Sequence, residues 1–377
     1  MPIQDARVEL LAQNGAVLWA SKTDNAGRAE LWADMNSREK SFETVDARIT
    51  VGNEVKTIRD IKTTAQGVNH IDVDIDCRTS PNVDIVFAVD ATGSMGDEIQ
   101  YLQSELKDVI NRSLASNTNL NVRMGAVFYR DSTDDYVTRV QPLDIDATKT
   151  INFISEQSAK GGGDYPEAVD AALGEALAQD WSEEAVARIV FLLLDAPPHH
   201  EPQVINKLQK QISTAAEQGI KIIPITASGI NRQTEFLMKF MAIATNGTYV
   251  FITDHSGIGN PHLDPVVEDF EVEKLNDLLV RLLYNYTKSN GCNANEPLTN
   301  GIMIYPNPAR DFVNIKSDKT IKTLKVLSNT GKLISTQSDV AQGETRIELS
   351  GLIDGMYTIQ CEGDDINFVQ PIIVVNR

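Results

Sequence analysis

Only three cysteines, Cys77, Cys292 and Cys361, occur in 377 residues, and none shares the short spacing of a zinc site. No apolar run approaches the roughly 20 residues that a helix needs to span a bilayer. There is no low-complexity block and no internal repeat. Basic residues are scarce: 34 Lys and Arg stand against 53 Asp and Glu, for a formal net charge of −19. Nucleic acid and anionic membrane surfaces both require a basic patch, so this balance excludes them as main partners. It suits a soluble surface, or cation binding. The opening "MPIQDARVELL" lacks the basic end and apolar core of a signal peptide. The expectation is a cytosolic chain or one whose leader has been removed.

What is present is a globular composition, 42% hydrophobic and 23% charged. The length is too great for one ordinary domain and predicts two or three. Residues 1–80 read as short strands, "ARVELLAQ", "AVLWASKTD", "GRAELWAD" and "VNHIDVDID", with the turns "QNGA" and "DNAGR" between them. They predict a small antiparallel sandwich, and "TDNAGRAEL" resembles the prealbumin-like and carboxypeptidase-regulatory sandwiches.

From Asp84 the pattern changes. Near-continuous apolar strands such as "DIVFAVD", "VRMGAVFYRD", "ARIVFLLLD" and "IKIIPITAS" alternate with amphipathic helices. This predicts an α/β domain over 81–290, a doubly wound and mostly parallel sheet covered on both faces. The polar "SNGCNANEPLTNG" marks a linker over 291–301. After it, strands recur every ten or so residues and predict a second small β-sandwich over 302–377.

The stretch "VFAVDATGSMGDEI" carries the chemistry. A buried strand ends in Asp90, and Thr92 and Ser94 follow around Gly93 just before a helix. In doubly wound sheets ligands bind beyond the carboxyl ends of the strands. Carboxylate and hydroxyl oxygens suit Mg²⁺ or Ca²⁺ rather than zinc. Two further loops supply carboxylates: "GGGDYPEA" carries Asp164, and "IVFLLLDAPPHH" carries Asp195. The competing reading is a strand-to-helix turn capped by Ser94, with Asp164 as a second helix cap. Asp131, Asp134 and Asp135 in "YRDSTDDY" are expected in a solvated acidic loop, His199 and His200 at a rim, and the Met and Phe side chains of "TEFLMKFMAI" in the core.

"DATGSM" resembles the D-x-S-x-S of von Willebrand factor A-type domains, the metal-ion-dependent adhesion site (MIDAS), and the resemblance extends over roughly 82–288 with the other two loops in order. It implies that Thr92 and Ser94 bind the metal directly and that some of the Asp residues, Asp195 among them, act through water. Thr92 stands where the family has Ser, and Asp164 where it usually has Thr. Three carboxylates against a divalent ion leave the site net negative, which weakens its pull on an acidic ligand.

The tail, with "IYPNPARDFVNI", "NTGKLI", "LSGLIDGMYTIQ" and a final "IIVVNR", resembles the C-terminal sorting domain of type IX secretion cargo. That implies export across the outer membrane of a Gram-negative bacterium, followed by release or surface anchoring. The combined expectation is a non-enzymatic, metal-dependent adhesion protein with a protein or surface-glycan ligand. The alternatives are a metal-dependent hydrolase and a scaffold whose metal is purely structural. Cys77 and Cys292 flank the α/β domain, and an exported chain meets oxidising conditions, so a Cys77–Cys292 disulfide is expected.

Overall fold

A computed structural model of the chain describes residues 2–33, 44–62, 69, 71–73, 75, 80–115, 120–163, 165–227, 230–252, 275–288, 302–305, 309, 311–328, 332–353, 355–363 and 366–374. The first strands are β1 (Arg7–Leu11), β2 (Val17–Lys22), β3 (Asp46–Val51) and β4 (Glu54–Ile58), in one antiparallel sheet of order β2-β1-β3-β4. Where a sandwich was expected, a single sheet lies in this region among the described residues. The "GRAELW" stretch forms no strand there: Leu31 and Trp32 pack into neighbouring apolar clusters instead of pairing with a sheet.

The central domain comprises β5 (Asn82–Asp90), α1 (Gly96–Ala115), β6 (Asn121–Tyr129), β7 (Thr138–Asp144), α2 (Ala147–Ser155), α3 (Val169–Leu177), β8 (Ala187–Leu194), α4 (Pro202–Gln218), β9 (Ile220–Thr226), α5 (Arg232–Ala244), β10 (Val250–Phe251) and α6 (Leu275–Thr287). Its six-stranded sheet runs β10-β9-β8-β5-β6-β7, and every pairing is parallel except that of the edge strand β7. The expected α/β organisation is present. Strand periodicity explains why both faces must be covered. Ile85, Phe87 and Val89 of β5 point into one core with Ile99, Leu102 and Leu106 of α1 and Leu279 and Leu282 of α6. Val86 and Ala88 point into the other, with Leu173 of α3, Ile212 of α4 and Met238 and Met241 of α5. Phe87 and Phe191 stack across the first core with centroids 5.4 Å apart. The methionines of α5 are in the core as expected, but Phe236 on the same helix is 74% exposed.

No helix among the described residues is long and apolar enough to cross a membrane. The tail forms two sheets, β11 (Ile302–Tyr305) with β12 (Phe312–Ser317) and β15 (Gly343–Glu348), and β14 (Leu333–Val340) with β13 (Ile321–Ser328), β16 (Gly355–Gly363) and β17 (Ile366–Val374). Both contribute to one apolar core, in which Cys361 is buried as a free thiol. The proposed partners Cys77 and Cys292 lie outside the described residues.

The N-terminal sheet is built onto the central domain. Its strand β2 lies against α4, and Leu10, Trp19 and Val45 join the apolar cluster that contains Leu208 and Ile212 of that helix. The Arg188 guanidinium, 4% exposed, grips both Asp5 oxygens at 2.7 and 3.1 Å, and Lys22 reaches the same carboxylate at 3.2 Å. Asp5 itself adopts a left-handed φ of 59°, a region that Asn also tolerates. Asp5→Asn therefore keeps the backbone but leaves a buried guanidinium without its carboxylate. It should destabilise the chain by about 3 kcal/mol, read as a lower midpoint in urea unfolding. An unchanged midpoint would mean that the apolar contacts alone hold this sheet.

Candidate metal centre

The sheet order places the candidate site. From β5 the chain moves outward through β6 and β7, then returns to the other side of β5 for β8, β9 and β10. The reversal falls between β5 and β8, where a crevice opens beyond the strand ends. Asp90 is the last residue of β5, and Asp195 directly follows β8, whose Leu193 is paired with Val89. The structure thus sets Asp90 and Asp195 side by side at the switch point.

Both carboxylates are withdrawn from water: Asp90 is 0% exposed, Asp195 9% and Thr92 3%. Asp90 Oδ1 accepts from the Thr92 backbone N–H at 2.9 Å and from its hydroxyl at 2.7 Å. Ser94 lies in a short 3-10 turn, Gly93–Met95, that leads into α1; the residue is exposed, and burial pushes the Asp195 carboxyl up against a smaller lowering by Ser94. The Thr92 hydroxyl is turned to Asp90 and makes no cap to the 3-10 turn. The second oxygen of each acid, Asp90 Oδ2 and Asp195 Oδ1, is buried without a hydrogen-bond partner among the described residues. Buried polar atoms are rarely left so, and each one costs about 1–3 kcal/mol.

The glycine loop closes on this turn. Gly161 and Gly162 take φ values of +80° and +78°, which side chains rarely adopt. A Cβ on Gly161 would stand 2.1 Å from Asp134 Oδ1, and one on Gly162 would stand 3.3 Å from Thr92 Cβ. The Gly93 N–H donates to Gly161 O at 3.2 Å, and Gly162 N–H donates to the Asp134 carboxylate. Asp164, one residue beyond Gly163, lies outside the described residues. Arg130 braces the same turn by donating to the carbonyls of Ala91 and Ser158.

Three features escape the sequence. The "YRDSTDDY" loop is not simply solvated: Asp131 is 2% exposed and bonds His199 Nε2 at 2.6 Å, and Asp134 holds the glycine loop, while Asp135 is exposed. His199 therefore ties two loops together at the rim. Glu167, 2% exposed, is tied to the loop after Asp195, and Tyr129, 0% exposed, is paired with Asp90 across β5 and β6. Only the proline before Glu167 and the apolar run before Tyr129 hinted at burial, and neither hint points to a site.

Two family matches settle the domain types. The von Willebrand factor type A domain family matches residues 84–261, and the secretion system C-terminal sorting domain matches 303–375. The chain carries a von Willebrand factor A domain and a type IX sorting domain. The sorting domain indicates secretion, so this is a secreted or cell-surface protein. The chain is similar to part of an ariadne-like RING finger protein of Acanthamoeba polyphaga mimivirus, 32% identical over 134 residues. It is also similar to part of an alpha-protein kinase of Dictyostelium discoideum, 29% identical over 124 residues. These alignments take in 35% and 32% of this chain but only 13% and 20% of those proteins. Among solved structures, BatB of Bacteroides thetaiotaomicron aligns at 17% identity and a TM-score of 0.36, over 55% of this chain and 99% of BatB. Proximal thread matrix protein 1 of the mussel byssus aligns at 16% identity and 0.37, over 55% and 46%.

Among the described residues no three His, Cys, Asp or Glu side chains gather as a metal-ligating group. What the A domain does present is a pair of carboxylates with unpartnered oxygens beside two hydroxyls. Burial, and then the Asp195 charge, push the Asp90 carboxyl up to about 7. The folded state therefore holds this proton more tightly than the unfolded chain, whose Asp titrates near 4. Its contribution to stability is complete below about pH 4 and is lost as pH rises through about 7, to the extent of ~4 kcal/mol. In chelator, the melting temperature should fall between pH 5 and 8. Asp90→Asn should flatten that fall and leave the metal-free domain more stable than the unmodified one at pH 8.

Proposed function

We propose that the A domain is a metal-dependent adhesion module that works outside the cell and performs no catalysis. The observation that carries this reading is the pair of buried, unpartnered oxygens on Asp90 and Asp195 beside the hydroxyls of Thr92 and Ser94. Hard oxygen donors of this kind fit Mg²⁺ or Ca²⁺. Asp90, Thr92 and Ser94 would hold the ion, with Asp164 from the glycine loop, and Asp195 would reach it through water. When bound, the ion would supply positive charge against the buried carboxylates and an open coordination position for an oxygen of the partner.

The chain's own residues prepare the place. Thr92 fixes the rotamer of Asp90 through two hydrogen bonds, and Ser94 favours the ionised form of Asp195. Tyr165 and, on α5, Phe236 are exposed, which gives a partner apolar surface on the A domain. The ligand in this reading is a protein or a surface glycan. The sorting domain would carry the A domain across the outer membrane of a Gram-negative bacterium by engaging the type IX machinery.

Calorimetric titration of Mg²⁺ and Ca²⁺ into the chelator-treated chain should show one site. Asp90→Ala should abolish it, and Ser94→Ala should weaken it. A hundredfold excess of metal over Kd should add about 2.7 kcal/mol to stability. Metal that stabilises the chain while leaving capture of surface proteins and glycans unchanged would identify a structural ion, and absence of any binding at millimolar metal would remove the reading.

Deletion of 303–375 in the native host should strand the protein in the periplasm without loss of metal binding. This is read by fractionation and by titration of the truncated chain.

A further inference from the structure

The bond between Asp131 and His199 joins the loops that follow β6 and β8, the two strands that flank β5. His199 Nε2 lies 2.6 Å from Asp131 Oδ1. The two ends differ in footing. On the β8 side, His199 follows Pro197 and Pro198, both buried, whose rings fix the backbone φ. The buried acid Glu167, on the loop packed against them, donates its N–H to Pro197 O at 2.9 Å and forms a parallel bridge with Pro198. The histidine is thus presented by a fixed segment. On the β6 side, Asp131 opens a turn in which the Asp134 N–H donates to its carbonyl at 3.2 Å. The Asp134 carboxylate accepts from the Gly162 N–H at 3.1 and 3.2 Å, and Gly161 O accepts from the Gly93 N–H. A run of hydrogen bonds therefore leads from His199 to the turn that carries Asp90.

The charges on this run favour a proton. The Asp131 side chain is buried, whereas the imidazole is partly exposed and can exchange a proton with water. Burial raises the Asp131 carboxyl, but the bonds from His199 and from the backbone of Ser132 and Thr133 outweigh it and hold the group below its ordinary value. The other ring nitrogen, Nδ1, faces Glu201 Oε2 at 3.9 Å. A neutral ring donates to Asp131 only as the tautomer with its hydrogen on Nε2. An imidazolium donates from both nitrogens and adds its charge to the attraction of both acids.

We propose that the Asp131–His199 pair is a proton-operated clasp on the crevice: protonation of His199 tightens the hold of the loop beyond β8 on the loop beyond β6 and, through Asp134, steadies the glycine loop against the Asp90–Ser94 turn. The clasp works with or without a bound cation. A histidine beside a carboxylate holds its proton more tightly in the folded chain than in the unfolded one. Its contribution is therefore complete below about pH 6.5 and is lost as pH rises through the folded midpoint. The rim of the crevice is firm in mild acid and loosens above neutrality.

The test uses the full chain in chelator, with Asp131→Asn and His199→Gln, and two readouts. Histidine-selective NMR gives the His199 midpoint. Hydrogen exchange at the Gly162 amide, corrected for the intrinsic rate, gives the firmness of the glycine loop at pH 6 and pH 8. In the unmodified chain the midpoint should stand about one unit above the ordinary 6.5, and Asp131→Asn should return it there. Corrected exchange at Gly162 should be faster at pH 8 than at pH 6 by up to about 10-fold, the equivalent of that one unit. The Asp90 carboxyl also titrates near 7, but both variants keep it, so pH dependence that survives in them belongs to Asp90. The part that disappears in both variants belongs to the clasp. A His199 midpoint at the ordinary value in the unmodified chain would overturn the proposal, and that measurement needs no variant to fold. A raised midpoint with the same pH dependence at Gly162 in all three chains would also overturn it, by reducing the pair to a local ion pair.

Discussion

Two carboxyl groups held side by side at the end of an apolar sheet set the terms for the rest of the A domain. β5 and β8 are buried on both faces, so whatever follows their last residues is drawn partly inside. Asp90 and Asp195 stand there; burial works against the ionisation of both, and the Asp195 charge adds to it at Asp90. Two hydroxyls, the glycine loop and Arg130 are arranged around this strain. The glycines allow backbone to approach where a side chain could not, and Arg130 fastens the turn through carbonyls. Without a bound cation, ionising these buried acids costs stability, so occupancy and stability are linked at this point of the structure.

The same crevice is reached by loops from every neighbouring strand. The β6 loop sends Asp131 to His199 and Asp134 to Gly162, and Glu167 ties the glycine loop to Pro197. Each bond joins segments far apart in the chain. The rim is therefore an interlocked set of short contacts on a rigid sheet, as a precise binding site requires.

Away from the crevice, the N-terminal sheet extends the second core of the A domain. It contributes Leu10 and Trp19 to the cluster around α4 and is pinned by Asp5 to Arg188. The tail is built differently, from two small sheets around their own core. Its separate core suits a segment that serves export, while the A domain carries the site.

The amino-acid order by itself determined the alternation of apolar strands and helices, the placement of Asp90 and Asp195 at strand ends, and the two domain types. Those features are local: a strand buried on both faces must be apolar throughout, and its first polar residue must mark its end. The expected strand over "GRAELW" shows where local pattern misleads, since Leu31 and Trp32 satisfy their burial against a neighbouring core without pairing. Only the tertiary structure decided that Asp131 is buried with His199, that Asp134 holds the glycine loop, and that Glu167 is buried against the loop beyond β8. Each of these depends on a partner contributed by a distant loop, and spacing along a chain holds no record of which loops the sheet order brings together.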